Sequence, residues 1–305
     1  MAVSQPDVGA QDSAPTEFWR EFFRRELALN QRSRLIDVAC GIGAVSASAI
    51  EAAQATGANI SAQCIDYSTS AVEELRKRFP QVHGIACDAL SIPLDDRSFD
   101  LVVSQFGIEY AGVEAFEEAA RLVDVNGVLA ALVHMADGAI HKECAKNLAV
   151  VDALDEARLM QRARAAFAAG FDLIAGKITD AEFQHADKRL APAVEVTKKI
   201  LKDEGPLVIG GLLANVYRDI GYMYTRMQNY VPAEVFAWID NVTDELSSYQ
   251  GRMASMTRCA LDEAGITELA GRLEASGLTI ERRDVLKLRK NGEAAAWILI
   301  ARRGR

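Results

Sequence analysis

The sequence predicts an α/β protein: a doubly wound mixed sheet of seven strands, closed by a C-terminal antiparallel hairpin, with an α-helical insertion after strand five. Three observations predict it. Apolar strand-like runs alternate with helical stretches between Arg34 and His134. A glycine-bearing turn joins the first of those runs to its helix. Residues 141–264 lack strand signals and are rich in Ala, Glu, Lys and Leu, after which two further strand-like runs appear. Strand and helix in alternation build a parallel sheet covered on both faces. The chain divides accordingly into a core over 1–140, a helical insertion over 141–264 and the rest of the core over 265–305.

Residues 1–15 are small and polar and read as a mobile tail, and 16–30 as an amphipathic helix. Phe18, Trp19, Phe22, Phe23 and Leu27 share one side of it. That side packs on the sheet, and Trp19 or Phe22 could also cover a ligand. Leu35, Ile36 and Val38 form the first strand, with Asp37 at its carboxyl end and Ala39-Cys40-Gly41-Ile42-Gly43 as the turn. Glycine there lets backbone N–H groups approach a ligand and tolerates positive φ. The helix that follows, with Val45, Ala49 and Ala52 on one face, starts next to that ligand.

Asn59 to Ile65 is the second strand, ending in Asp66. This acid stands 23 residues beyond Gly43, where a βαβ unit delivers it to the neighbouring strand tip. A carboxylate there can accept two hydrogen bonds from a ribose diol, and Tyr67 beside it could pack on a base. The helix Ser70 to Phe79 leads to strand three, Val82 to Cys87, and to Asp88-Ala89. Strand four, Leu101 to Ser104, opens on Gln105-Phe106-Gly107-Ile108-Glu109-Tyr110. A helix over Val113 to Val123, a turn at Gly127 and strand five, Val128 to Val133, end at His134.

The string D-V-A-C-G-I-G resembles the first motif of class I S-adenosylmethionine-dependent methyltransferases, whose usual form is D-x-G-C-G-x-G; Ala39 departs from it at one small-residue position. A dinucleotide fingerprint, G-x-G-x-x-G, fits less well, because its third glycine would be Ser46. The stretch D-A-L-S-I-P-L-D-D-R-S-F-D-L-V-V-S resembles the segment between strands three and four of the same family. The resemblance implies a Rossmann-like fold, S-adenosylmethionine as cofactor and a cofactor site of Asp37, Ala39, Cys40, Gly41, Gly43, Asp66, Tyr67, Asp88, Ala89 and Gln105. It also implies that Asp88 accepts from the adenine amino group, that Asp100 tethers a loop and that the sheet ends in an antiparallel pair. Candidates for that pair are Leu278 to Leu288 and Ala294 to Ile300, joined through Asn291-Gly292, a hairpin signal. The helix Ile266 to Ser276, capped by Gly277, precedes them.

A net charge of −9 argues against nucleic acid or an anionic membrane as main partner. The five cysteines show no C-x-x-C spacing and read as reduced thiols of a cytoplasmic protein. No His/Cys or carboxylate group has metal spacing, so no metal is expected. No run reaches membrane-spanning length. In the insertion, helices are expected near Lys142 to Gly170, Asp180 to Leu201, Leu207 to Tyr230 and Ala233 to Leu261, with a Thr179/Glu182 capping box and Pro232 at a helix start. Its position after strand five suggests a lid. Tyr217 and Tyr224 share a helix face with Ile220, Met223 and Met227, which suits either a helical core or homodimer surface, or a substrate pocket with few charges.

Methyl transfer is an in-line attack on a sulfonium, in which alignment supplies most of the protein's contribution. A base is needed only for a nucleophile protonated at working pH. His134 and His141 are the best-placed bases, with Gln105 and Tyr110 as further catalytic candidates and Trp19, Phe22, Phe106, Glu109, Tyr217 and Tyr224 as substrate-facing candidates. The function expected is methylation of a small molecule at O, N or S under a helical lid. A protein or RNA methyltransferase, or a non-catalytic S-adenosylmethionine-binding regulator that Ala39 would support, are the alternatives.

Overall fold

A computed structural model describes residues 14–304, so the tail expected over 1–15 lies outside the described residues up to position 13. Ala14 and Pro15 already belong to the first helix, α1 (Ala14–Leu29). Contacts divide the described residues into two compact units: Glu143–Ser255, and the described residues before and after it.

The α/β unit contains β1 (Arg32–Val38), α2 (Ala44–Thr56), β2 (Asn59–Asp66), α3 (Thr69–Arg78), β3 (His83–Ala86) and β4 (Phe99–Gln105). These are followed by α4 (Glu114–Leu122) and β5 (Val123–His134) and, after the second unit, by α10 (Glu263–Ala275), β6 (Leu278–Lys287) and β7 (Ala294–Arg303). The strands form one seven-stranded sheet in the order β3-β2-β1-β4-β5-β7-β6. The first five are parallel, and β7 lies antiparallel to both β5 and β6. The sheet reverses direction of winding between β1 and β4, so the carboxyl ends of those strands flank the crevice where open α/β sheets bind ligands.

Strand alternation sorts the core into two layers. Val128, Ala130 and Leu132 of β5 join Trp19, Phe22, Phe23 and Leu27 of α1 and Ala49 of α2 on one face. Leu129, Ala131 and Val133 join Phe116 of α4 and Leu269 and Leu273 of α10 on the other. Each buried aromatic contributes about 1.5–3 kcal/mol of transfer free energy, so α1 is anchored firmly to the sheet.

Three expectations need correcting. Gly127 is not a turn between helix and strand but part of β5, where the register with β4 jumps between Phe99 and Leu101 and Asn126 takes φ 62°. A Cβ on Gly127 would stand 2.8 Å from the Asp124 carbonyl oxygen, so the bulge needs glycine. In the helical unit the stretch 142–170 is two helices, α5 (Ala139–Glu156) and α6 (Leu159–Ile174), broken at Arg158 in the left-handed region. The stretch 207–230 is likewise interrupted: Ile209, Gly210 and Gly211 all have positive φ, and α8 (Leu212–Tyr224) begins only after them.

The remaining helices of that unit are α7 (Asp180–Glu204), opened by the Thr179/Glu182 capping box, and α9 (Pro232–Cys259), opened by Pro232. Asn291-Gly292 turns the β6–β7 hairpin, with Gly292 at φ 74°. Among the described residues no helix is long and apolar enough to cross a membrane.

Candidate functional site at the carboxyl edge of the sheet

The turn after β1 is shaped by three left-handed residues, Ala39 (φ 56°), Gly41 (φ 52°) and Gly43 (φ 86°). A Cβ built on Gly41 would meet nothing within 4 Å, so this part of the turn is open to a ligand. At Gly43 a Cβ would press on Leu75 and Phe79, so glycine there serves packing against α3. Ala39 holds a conformation that costs an L-residue roughly 1–2 kcal/mol. Its methyl is accommodated by Gly107 after β4, where a Cβ would stand 2.7 Å from the Ala39 Cβ and 2.9 Å from its oxygen.

Asp66 closes the turn from the neighbouring strand. Its Oδ2 accepts from the Gly41 N–H at 2.7 Å and its Oδ1 from the Ser68 N–H at 2.8 Å. Each oxygen keeps a lone pair, and the carboxylate is partly exposed. Asp88 at the tip of β3 is exposed and turns its own loop by accepting from Leu90 N–H. Ala89 beside it is partly buried, and Tyr67 is 82 % exposed. Glycine turn, Asp66 and Asp88 therefore occupy three adjacent strand tips.

Asp37 is placed differently. It is buried, and its Oδ2 accepts from both the N–H and the hydroxyl of Ser46, which ties β1 to the first turn of α2. Burial pushes its carboxyl up to about 7 against the lowering effect of the Ser46 bonds. Cys40 is buried as well; its bond with the Cys64 thiol and its burial raise it far above the ordinary thiol range, so it stays an unreactive thiol.

At the tips of β4 and β5 aromatic side chains cluster, from the buried Trp19 to the exposed Tyr110. Trp19 reaches from α1 to donate its indole N–H to Gln105 Oε1 at 2.6 Å. Phe106 is bent into the left-handed region at φ 52°, a strained state for a bulky residue. Its ring lies 4.7 Å from the imidazole of His134, and that of Tyr110 lies 5.8 Å away. Phe22 is buried in the face below.

Glu109 is 6 % exposed, and its Oε1 accepts from His134 twice, from the backbone N–H at 3.0 Å and facing Nδ1 at 2.7 Å. Cys259, brought back to this edge where Leu261 N–H bonds the His134 carbonyl, completes a cluster of three ligand-type groups. Their ligand atoms lie within 4.8 Å of one another, which makes them the residues that could hold a metal ion. His141 accepts from the Asp137 N–H in the first turn of α5.

In the helical unit Tyr217 is partly buried. Tyr224 donates its hydroxyl to Asp187 at 2.7 Å and packs between Phe167 and Phe183. Burial and that bond raise its phenol above the usual range.

Gly107, Ser46 and Cys259 are the contributors that sequence reading gave no role. Gly107 sits in the Gln105–Tyr110 string but makes its contact with a residue 68 positions earlier, and Cys259 meets His134 only through the return of the chain after the second unit. No local pattern carries either signal.

Residues 35–127 match a family model described as a methyltransferase domain. The demethylmenaquinone methyltransferase of Staphylococcus haemolyticus is 27 % identical over 119 residues, 37 % of this chain and 48 % of that protein. The ubiquinone/menaquinone biosynthesis C-methyltransferase of Citrifermentans bemidjiense is 34 % identical over 96 residues, 30 % of this chain and 40 % of that protein. The chain thus spans less than half the length of either relative. Among solved structures, the 1,6-didemethyltoxoflavin-N1-methyltransferase of Burkholderia thailandensis aligns with 98 % of this chain and 82 % of its own, at 11 % identity and a TM-score of 0.46.

Proposed function

We propose, from the membership of the α/β unit in the class I S-adenosylmethionine-dependent methyltransferases, that the chain moves a methyl group from S-adenosylmethionine to a small molecule. The observation that carries the reading is the glycine turn held by Asp66: a backbone cradle open at Gly41, with a partly exposed carboxylate of the next strand at its rim. Those residue types fit an adenosine: Asp66 for the ribose diol, Asp88 with Ala89 for the adenine edge, Tyr67 for its face. The turn Ala39–Gly43 would hold the amino-acid portion. When bound, the sulfonium presents a methyl already activated by its positive charge.

The chain's own contribution is then orientation and exclusion of water, worth about 7–11 kcal/mol when two reactants are well aligned. Gln105, steered by the Trp19 indole, and the rings of Phe106 and Tyr110 are our candidates for aligning the acceptor. The helical unit is our candidate for its cover. That reading is supported by the point of insertion, between β5 and α10, which leaves and re-enters the α/β unit beside His134. Tyr217 and Tyr224 stay candidates for its acceptor-facing surface, although the Tyr224 hydroxyl is already engaged by Asp187. The acidic balance of the chain favours a small acceptor over RNA, and its cysteines suit a cytoplasmic setting.

Two measurements test this. Saturation with S-adenosylhomocysteine at a hundredfold excess over Kd should raise the unfolding free energy by about 2.7 kcal/mol; no thermal shift would remove the cofactor reading. Incubation with methyl-labelled S-adenosylmethionine and a metabolite extract should yield a labelled small molecule. Binding without any labelled product would favour the regulator reading.

A further inference from the structure

Among the described residues, the polar atoms buried without a hydrogen-bond partner at the β4 and β5 tips include Glu109 Oε2 and His134 Nε2. The two side chains are joined through their other atoms, Nδ1 to Oε1 at 2.7 Å, with the His134 backbone N–H fixing the same oxygen. A neutral imidazole has one donor and one acceptor nitrogen, and a carboxylate oxygen only accepts. Nδ1 must therefore carry the proton, which leaves a lone pair on Nε2. The imidazole itself is wholly buried, with the Phe106 ring against it and the partly exposed Tyr110 ring beyond.

A buried imidazole is costly to protonate unless a negative charge compensates it. Glu109 is that charge, and its other contact, the backbone N–H, stops it from turning away. The same arrangement orients a base in hydrolytic triads, where the carboxylate selects the tautomer and steadies the imidazolium. In methyl transfer such a base serves an acceptor that must lose a proton as it is methylated. A thiol, with a pKa of about 8.5, gives up its proton more readily than a phenol of about 10 or an aliphatic alcohol, so an oxygen acceptor has the greater need of a base.

Resting on the methyl-transfer reading above, we propose that the acceptor is an oxygen nucleophile, an alcohol or phenol, that displaces the exposed Tyr110 ring to reach the buried His134 Nε2 and gives its proton there, with Glu109 as the positioning residue. In that step the acceptor oxygen forms a bond to the methyl carbon while the carbon–sulfur bond breaks. The electron pair stays on sulfur as a neutral thioether, and the hydroxyl proton moves to Nε2. One positive charge passes from sulfonium to imidazolium, where Glu109 balances it.

Long-range proton–nitrogen spectra of the full chain, saturated with S-adenosylhomocysteine, read the tautomer without any acceptor. His134 should show a protonated Nδ1 and a bare Nε2; Glu109→Gln, whose amide oxygen still accepts from Nδ1, should keep that tautomer, and Glu109→Leu should abolish it. A proton on Nε2 in the unaltered chain overturns the proposal. Cobalt(II) provides a second arm: a thiolate-to-metal absorption band that disappears in Cys259→Ser would make Glu109, His134 and Cys259 a metal site and overturn it too.

The labelled product then decides the acceptor class. A methyl on oxygen supports the proposal, and Glu109→Gln should lower kcat on that acceptor at least about tenfold with little change in KM. A methyl on carbon, nitrogen or sulfur sinks the proposal alone. No product from any extract sinks the methyl-transfer reading and the proposal together.

Discussion

The tips of β1 to β3 and the tips of β4 and β5 handle carboxylates in opposite ways. In the first region Asp37, Asp66 and Asp88 all accept from backbone N–H groups, of Ser46, of Gly41 and Ser68, and of Leu90. Amides cannot take or give a proton at working pH, so they fix the direction of a carboxylate and leave its charge alone. In the second region Glu109 faces an imidazole, the one side chain whose ordinary titration falls between pH 5 and 8. One edge of a single sheet thus carries carboxylates held by amides at one end and a carboxylate paired with an imidazole at the other. The contrast would be blurred if an acid of the first region also changed protonation under working conditions.

Asp37 is the acid that could do so, and it offers the largest expected effect. Its pKa rises from the ordinary 3.8 to about 7 on folding, because burial disfavours the charged form. The folded chain then holds a proton that the unfolded chain has released between about pH 4 and 7, so stability falls with rising pH across that window, by up to about 1.4 kcal/mol per unit. The contribution is complete below about pH 4 and gone above about 7. Asp37→Asn removes the slope, and urea unfolding at pH 5 and 7.5 should show the variant gaining on the parent by about 2–3 kcal/mol. Parallel curves would mean that Asp37 stays charged when folded.

Asp66→Ala comes next. The carboxylate holds Gly41 and Ser68 as well as facing outward, so the variant should lose both ligand affinity and some stability. Charge-assisted bonds are worth about 1.5–3 kcal/mol each, which predicts S-adenosylhomocysteine binding weakened at least tenfold by calorimetry. Unchanged affinity would take Asp66 out of the site and leave the first region with a purely structural acid.

How far the sequence announces this arrangement depends on whether a contact is local. Strand, glycine turn and helix from Arg32 to Thr56 are readable because period and turn chemistry lie within a few residues. The Thr179/Glu182 capping box and the Asn291-Gly292 hairpin were legible for the same reason. The Arg158 break was not, since no glycine or proline marks it: the left-handed turn there falls on a residue that ordinarily continues a helix. Gly210-Gly211 was a marker that helical patterning on both sides outweighed. At the site, Asp66 and Asp88 followed from strand ends, but Asp37 did not, because its position gives no sign that the side chain turns inward to Ser46. Glu109 and His134 each stood at the right edge, yet their pairing across 25 residues needed the register of β4 against β5.

The two regions touch at Ala39 and Gly107, and there the smallest effects are the most informative. Gly107→Ala would drive a methyl into the Ala39 Cβ and its oxygen, and overpacking of this kind costs typically 1–3 kcal/mol. Ala39→Gly should do the reverse: it releases the left-handed strain of roughly 1–2 kcal/mol and returns about 0.4–1 kcal/mol to the unfolded chain's entropy. A net gain of about 0.5–1 kcal/mol is expected on those two figures. Combined, the substitutions should recover much of the Gly107→Ala loss, because the 2.7 Å methyl–methyl approach is gone while the 2.9 Å approach to the Ala39 oxygen persists. A double-mutant cycle on thermal unfolding reads that coupling directly. Additive effects would mean that the alanine in the turn and the glycine after β4 occupy their places independently, and that the two halves of the edge are not packed to fit one another.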